Sequence, residues 1–335
     1  MTQDNTMRAV EIRDVDGHFA LASTRRPVPA PGEGDVLIRV RAAGVNGHDV
    51  HQIHNGGHPI LPGETNLPGL EVSGEVVAIG AKVTRWVPGD AVCALLRGGG
   101  YAEYAIAPQG NCLPKPDNLD WAEAAVLPET FFTVWSNVFV DCALAEGESF
   151  LMNGGTSGIG VAAIQIAATL GHRVFATARG ADKVAICSEL GAARAIDYEI
   201  ENFAEVIAAE TNERGVNVIL DIVGGDYLDK DLLALAHGGR LVFIGAARGF
   251  VAEIDLRKVM RKQLRIGGSL LRPRPLAFKA MVAAALEERV WPHVLSGRIK
   301  PMLDRSFALE DAAEAIRCLE ERCHIGKVAL LVENA

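Results

Sequence analysis

The stretch LMNGGTSGIG, residues 151 to 160, decides how the rest of the chain is read. It joins an apolar run, SFLMN, to a small-residue apolar run, GVAAIQIAATLG, through glycines at 154, 155, 158 and 160. Aligned to G-x-G-x-x-G it offers Gly155, then Ser157 where the middle glycine would stand, then Gly160. A glycine cluster alone is weak evidence, because loops collect glycine. A strand over 149–153 and a helix over 159–170 supply the context that a dinucleotide-binding turn requires. Glycines let the backbone approach a pyrophosphate, and the helix start offers unpaired N–H groups at the positive end of its dipole. Its place in the chain is unusual for a first βα turn: some 150 residues precede it.

Those residues read as a separate β-rich domain. DVLIRVRAAGVN (35–46) puts Val36, Ile38 and Val40 on one face and Leu37, Arg39 and Arg41 on the other. EVSGEVVAIGAKV and GDAVCAL follow, punctuated by glycine. After Gly147 strand and helix alternate, the pattern of a parallel sheet covered on both faces. SFLMN, RVFATA, ARAIDY, VNVILDIV, GRLVFIG and LRIGGSLL supply the strands of one dinucleotide-binding unit. The tail from about Pro273 returns to mixed elements and ends in the apolar GKVALLV.

Composition bounds the class. The chain has 335 residues, of which 49% are hydrophobic and 22% charged, enough for two cores. No charged segment followed by an apolar run opens it, and no stretch reaches the roughly 18 apolar residues of a membrane span. A soluble cytoplasmic protein is expected. A net charge of -9 argues against a nucleic-acid binder. LRKVMRKQLR, 256–265, holds five basic residues and reads as a solvated helix face. The six cysteines include no CxxC pair, so reduced buried thiols are expected rather than a metal site at Cys318, Cys323 and His324.

The second strand of the unit bears on the coenzyme. An NAD site usually places a carboxylate at its end, to accept the ribose hydroxyls. Here FATARGADK puts Arg179 there, with Lys183 four residues on and Tyr198 closing the third strand. Two cations and a phenol suit a 2′-phosphate, so NADPH is expected. A short-chain dehydrogenase would need a YxxxK helix. None of Tyr101, Tyr104, Tyr198 or Tyr227 has a lysine four residues later.

GVNGHD, GLEVSGEVVAIG, GDAV, GGYAEY, GGTSGIGVAAIQIA, ATARGADK, LGAARAIDY, ILDIVGGDYLDKDLLALAHGGRLVFIG, GSLLRPRP and IGKVALLV come in an order that resembles another family. It is the zinc-independent quinone oxidoreductase group of the medium-chain dehydrogenases/reductases, nearest to its tumour-protein-inducible type. The resemblance covers nearly the whole chain. It implies an α/β protein: a GroES-like domain over 1–128 completed by 273–335, and a Rossmann domain over 129–272, with the cofactor in the cleft. It further implies that Asn46 and Thr133 line the nicotinamide end. Thr156, Ser157, Gly158 and Ile159 would hold the pyrophosphate, and Lys183 and Tyr198 the 2′-phosphate. Gly245, Leu271 and Lys327 would also border the cofactor. The chain has Arg179-Gly180 where the family usually has Gly-Ser, and Arg179 would replace the lost serine donor.

Zinc enzymes of the superfamily have a cysteine where this chain has Asn46, and Gly-His-Glu where it has Gly69-Leu70-Glu71. Asparagine is not a usual zinc ligand and leucine cannot be one. The four closely spaced cysteines of a structural zinc lobe are missing, so no metal is expected. Without a Lewis acid, reduction of an electrophilic quinone or α,β-unsaturated carbonyl is the expected reaction. An enoyl reductase acting on a carrier-bound substrate and a non-catalytic NADPH-binding structural or regulatory protein are the alternatives. No side chain stands out as the proton donor. His48, His51, His54 and His58 form a cluster that reads as pocket rim or surface, partly in a loop. LRIGGSLL, uncharged between Arg265 and Arg272, reads as an edge strand that pairs with a second copy, and a proline at Ser269 is expected to weaken the homodimer.

Overall fold

The computed structural model describes residues 6–57, 65–322 and 324–332. The chain divides into two compact units, residues 1–130 with 275–335, and residues 131–274.

In the first unit β1 (Thr6–Val15) and β2 (His18–Pro27) form an antiparallel hairpin. There follow β3 (Asp35–Val45), α1 (Gly47–His54), β4 (Glu71–Ile79), β5 (Ala91–Leu95), β6 (Tyr104–Pro108), β7 (Cys112–Pro114), α2 (Trp121–Ala125) and α3 (Pro128–Val134). β3 is the centre of this sheet. Its Val36, Ile38 and Val40 are wholly buried, while Arg39 on the opposite face pairs with Glu75 of β4. The alternation read from the sequence is the alternation observed.

The second unit runs β8 (Ser149–Asn153), α4 (Gly158–Thr169), β9 (Arg173–Ala178), α5 (Gly180–Glu189), β10 (Arg194–Asp197), α6 (Phe203–Glu210), β11 (Val216–Asp221), α7 (Tyr227–Ala234), β12 (Leu235–Phe243), α8 (Leu256–Lys262) and β13 (Arg265–Gly268). The sheet order is β10-β9-β8-β11-β12-β13 and every pair is parallel. Numbered within the unit this is 3-2-1-4-5-6, the doubly wound order. Central strands are continuous apolar runs because helices cover both faces: Leu151, Phe175 and Ile219 are fully buried.

The tail rejoins the first unit with α9 (Leu276–Arg289), α10 (Trp291–Leu295), β14 (Leu303–Ala308), α11 (Ala312–Glu320) and β15 (Lys327–Leu331). β15 lies between β14 and β3, pairing Val328–Leu331 with Val45–Ala42. The apolar GKVALLV is therefore an interior strand.

Three expectations need correction. α8 stops at Lys262, where Gln263 turns left-handed (φ 52°). Lys262 is half-buried rather than freely solvated: its ammonium donates to the carbonyls of Leu232, Leu233 and Leu235 at 3.1, 2.7 and 2.6 Å. Just after β13, Ser269 N–H is already bound to Phe243 O at 3.0 Å within the chain. By alternation, the free edge is offered by Ile266 and Gly268 instead. Finally, His48, His51 and His54 lie on helix α1, not in a loop, and His54 pairs with Glu320 at 2.6 Å. His58 and Cys323 lie outside the described residues, among which no group of three or more His, Cys, Asp or Glu could hold a metal.

Candidate functional site

The glycine turn sits at the carboxyl end of β8, beside the point where strand order reverses. Gly154 has φ +92°, and a Cβ on Gly160 would stand 2.4 Å from Gly154 O, so the helix start packs directly on the turn. Ser157 caps α4, its Oγ accepting from Gly160 N at 3.0 Å and donating to Gly154 O at 2.8 Å. The N–H groups of Gly158 and Ile159 fall in the first turn of the 12-residue α4, where the helix itself offers no acceptor. Thr156, Ser157, Gly158 and Ile159 are together and half-buried. The donors and the dipole suit an anion, so these residues fit the pyrophosphate of a dinucleotide.

Arg179 and Tyr198 are neighbours at the ends of β9 and β10, and Lys183 lies on the helix that follows Arg179. Arg179 precedes α5, Lys183 lies in its first turns, and Tyr198 N–H bonds to Ala178 O at 3.1 Å. The sequence concealed one neighbour. Arg179 is exposed and pairs with Glu199 at 2.8 Å, so a carboxylate does reach this corner, supplied by the loop after β10.

Asn46 and Lys327, 281 positions apart, meet in the first unit. Asn46 follows the last residue of β3 and Lys327 opens β15, and the antiparallel pairing of Val45 with Val328 brings them together. The Lys327 ammonium donates to Val45 O at 2.9 Å, Asn46 Oδ1 at 2.5 Å and Glu71 Oε1 at 2.7 Å. An ammonium has three donors, and all three are used. Glu71 is wholly buried, also accepting from Asn46 Nδ2 at 3.0 Å and Glu129 N at 2.8 Å. Gly44 makes room for it: a Cβ there would lie 2.1 Å from Glu71 Oε1.

Asp49 lies under this cluster, fully buried, and accepts from Asn46 N at 2.9 Å, Tyr101 Oη at 2.9 Å and Gly69 N at 3.3 Å. Burial pushes its carboxyl up to about 6, against the pull of those donors and Lys327. Glu129, in the first turn of α3, keeps some exposed surface but is densely surrounded. Burial, then the Glu71 carboxylate, pushes its carboxyl up to about 8, with Lys327 and Lys279 opposing.

The remaining expected residues belong to the second unit. Thr133 is buried on α3, its carbonyl accepting from Ser136 and Asn137. Gly245 lines a cavity of about 490 Å³ at the carboxyl ends of β11, β12 and β13. Leu271 is buried, while its neighbour Leu270 is exposed.

Comparison with known proteins fits this geometry. Residues 32–117 match the alcohol dehydrogenase GroES-like domain family, and residues 158–287 the zinc-binding dehydrogenase family. Over 91% of both chains the sequence is 33% identical to the quinone oxidoreductase of Sus scrofa. The chain belongs to the quinone oxidoreductase group of the medium-chain dehydrogenases/reductases. Among solved structures, an NAD-dependent alcohol dehydrogenase superposes with TM-score 0.83 at 33% identity, covering 98% of this chain and 100% of its own. A mycobacterial protein complexed with NADPH superposes with TM-score 0.82 at 28% identity, covering 97% and 99%.

This oxidoreductase has the α/β architecture of its group, a GroES-like domain and a parallel Rossmann-type sheet. One family description names zinc, and the residues do not fit it. Leu70 is buried and apolar, and the Lys327 ammonium already fills the space between Asn46 Oδ1 and Glu71 Oε1. Asp49 and Glu129 were missed in the sequence. Asn46-x-x-Asp49 is a helix-start signature that marks the first, whereas nothing local marks the second.

Proposed function

We propose that this oxidoreductase transfers hydride from NADPH to a quinone or an α,β-unsaturated carbonyl, without zinc. The observation that carries the reading is the Lys327 ammonium between Asn46 and Glu71, where a Lewis acid would have to stand to activate an alcohol. An acceptor that is already electrophilic needs no such help. When bound, NADPH supplies the hydride. The chain supplies the holding groups: Thr156, Ser157, Gly158 and Ile159 for the pyrophosphate, Arg179, Lys183 and Tyr198 for the 2′-phosphate. Asn46, Thr133, Gly245, Leu271 and Lys327 border the remainder.

Burial, then the Glu71 charge, raises the Glu129 carboxyl to about 8, and this reading makes it the proton reservoir of the site. One proton leaves Glu129 for the reduced acceptor, and solvent returns it. The test is a steady-state screen of NADPH oxidation against quinones and enones, with primary and secondary alcohols plus NADP+ as the contrast. Turnover of quinones or enones with identified reduced products supports the reading. Efficient alcohol oxidation with no enone or quinone turnover overturns it. Glu129→Gln should lower kcat and remove a decline above about pH 8.

A further inference from the structure

Beneath the glycine turn lies a closed polar chain that the reaction does not use. Asn153, the last residue of β8, donates both amide hydrogens to carboxylates: Asp221 Oδ2 at 3.1 Å and Asp231 Oδ1 at 2.8 Å. Its Oδ1 accepts from Thr177 Oγ1 at 3.1 Å, and Thr177 Oγ1 in turn accepts from Gly154 N at 3.2 Å. Asp221 Oδ1 is satisfied by the N–H groups of Val223 and, at 2.8 Å, Gly224. Asn153, Thr177, Asp221 and Asp231 are all fully buried.

One atom breaks the pattern. Asp231 Oδ2 is buried and no donor reaches it. Two ionised carboxylates sharing one amide in a dry interior repel each other, and an undonated carboxylate oxygen leaves a desolvation cost uncovered. Both problems vanish if Oδ2 itself carries hydrogen. We propose that Asp231 is an un-ionised acid that donates its proton to Asp221, and that this bond locks the Asn153–Thr177–Gly154 chain. Asp231 is then a positioning residue for the dinucleotide-binding turn. Its function, though not its protonation, rests on reading that turn as the pyrophosphate site.

Burial first, then the Asp221 charge and the bond to Asp221, raise the Asp231 carboxyl well above the carboxylate range. Among the described residues, Asp221 from β11 is the titratable group facing it. Tyr227 on α7 stands beyond, and Asn153 and Thr177 carry no charge. Because the folded-state value is raised, the stabilisation from this group is full below the ordinary carboxyl value of 3.8 and falls as pH rises from there through the folded-state value.

Asp231→Asn keeps a donor toward Asp221 and an acceptor for Asn153, while Asp231→Leu keeps volume and removes both. The parent minus Asp231→Asn infrared difference spectrum should contain the carbonyl stretch of an un-ionised carboxylic acid. Asp231→Asn should bind NADPH within about twofold of the parent at neutral pH, and without the parent's weakening in alkali. Asp231→Leu should bind about tenfold or more weakly while unfolding cooperatively. Absence of the infrared band, or a carboxylate band in its place, overturns the shared proton whether or not NADPH binds. With the band present, equal affinity of Asp231→Leu and the parent overturns the positioning role. A parent that binds no dinucleotide at all overturns the reading of the turn and the positioning role together, leaving the proton to the infrared result.

Discussion

Lys327 Nζ stands 2.7 Å from Glu71 Oε1, with both side chains buried and the two residues 256 positions apart in the chain. Each is costly alone. An ion pair of this kind is weak evidence for net stability, but removing one partner leaves a buried charge uncompensated, which costs about 3–5 kcal/mol. Lys327→Met, which keeps the stem, should destabilise the protein by that order in urea unfolding. Pairing it with Glu71→Gln should recover a good part of the loss, so the two changes should be strongly non-additive. Additive effects would mean that the pair does not act as a unit.

The same contact bears on metal. With the ammonium seated on Asn46 Oδ1 and Glu71 Oε1, dialysis against a chelator should leave both activity and unfolding midpoint unchanged. Elemental analysis should find no stoichiometric zinc. Activity lost to the chelator and restored by zinc would contradict this arrangement.

Glu129 should leave a mark on stability against pH. Its carboxyl is raised from 4.5 to about 8, so the folded state binds the extra proton between those values. Stability contributed by this group is therefore full below about 4.5 and falls as pH rises toward 8, by up to about 1.4 kcal/mol per pH unit. Asp49, raised to about 6, adds to the lower part of that window. Glu129→Gln should flatten the slope by one proton between 6 and 8, measured by denaturant titration at several pH values.

What the sequence made legible was whatever repeats along the chain. Six parallel strands appear as separate apolar runs, and the glycine turn is marked by residues within ten positions of each other. What it hid depends on partners remote in sequence. Asp231 meets Asn153 across 78 positions, and Glu71 meets Glu129 N across 58. Arg179 looked free of carboxylates because the loop after β10, not the helix that follows Arg179, delivers Glu199. The helix start at Asn46 was legible in principle, but the glycines at 56 and 57 drew the reading toward a loop.

The Arg179–Glu199 pair makes the coenzyme prediction sharper. Both side chains are largely exposed, so the pair is worth at most about 1 kcal/mol and a 2′-phosphate can displace the carboxylate. NADPH should bind at least about tenfold more tightly than NADH, about 1.4 kcal/mol. Arg179→Ala should narrow the gap mainly by weakening NADPH, and Glu199→Gln should widen it by releasing the guanidinium. Equal affinities of the parent for both coenzymes, in fluorescence titrations, would count against this corner as a phosphate site.

The edge of the second sheet gives the last prediction. Among the described residues β13 pairs with β12 alone, all four of its residues are exposed, and Leu270 beside it is 73% exposed. An open edge with apolar flanks is a liability that a second copy would cover around a two-fold axis. Sedimentation at micromolar concentration should show a homodimer. Ser269 is the wrong place to break it, because its N–H serves Phe243 O of the same chain. Ile266→Pro removes an outward N–H and spares the bonds to β12, so it should shift the equilibrium toward monomer while leaving the unfolding midpoint of the isolated chain nearly unchanged. A parent protein that sediments as a monomer, or an Ile266→Pro dimer as tight as the parent's, would rule out pairing through this strand.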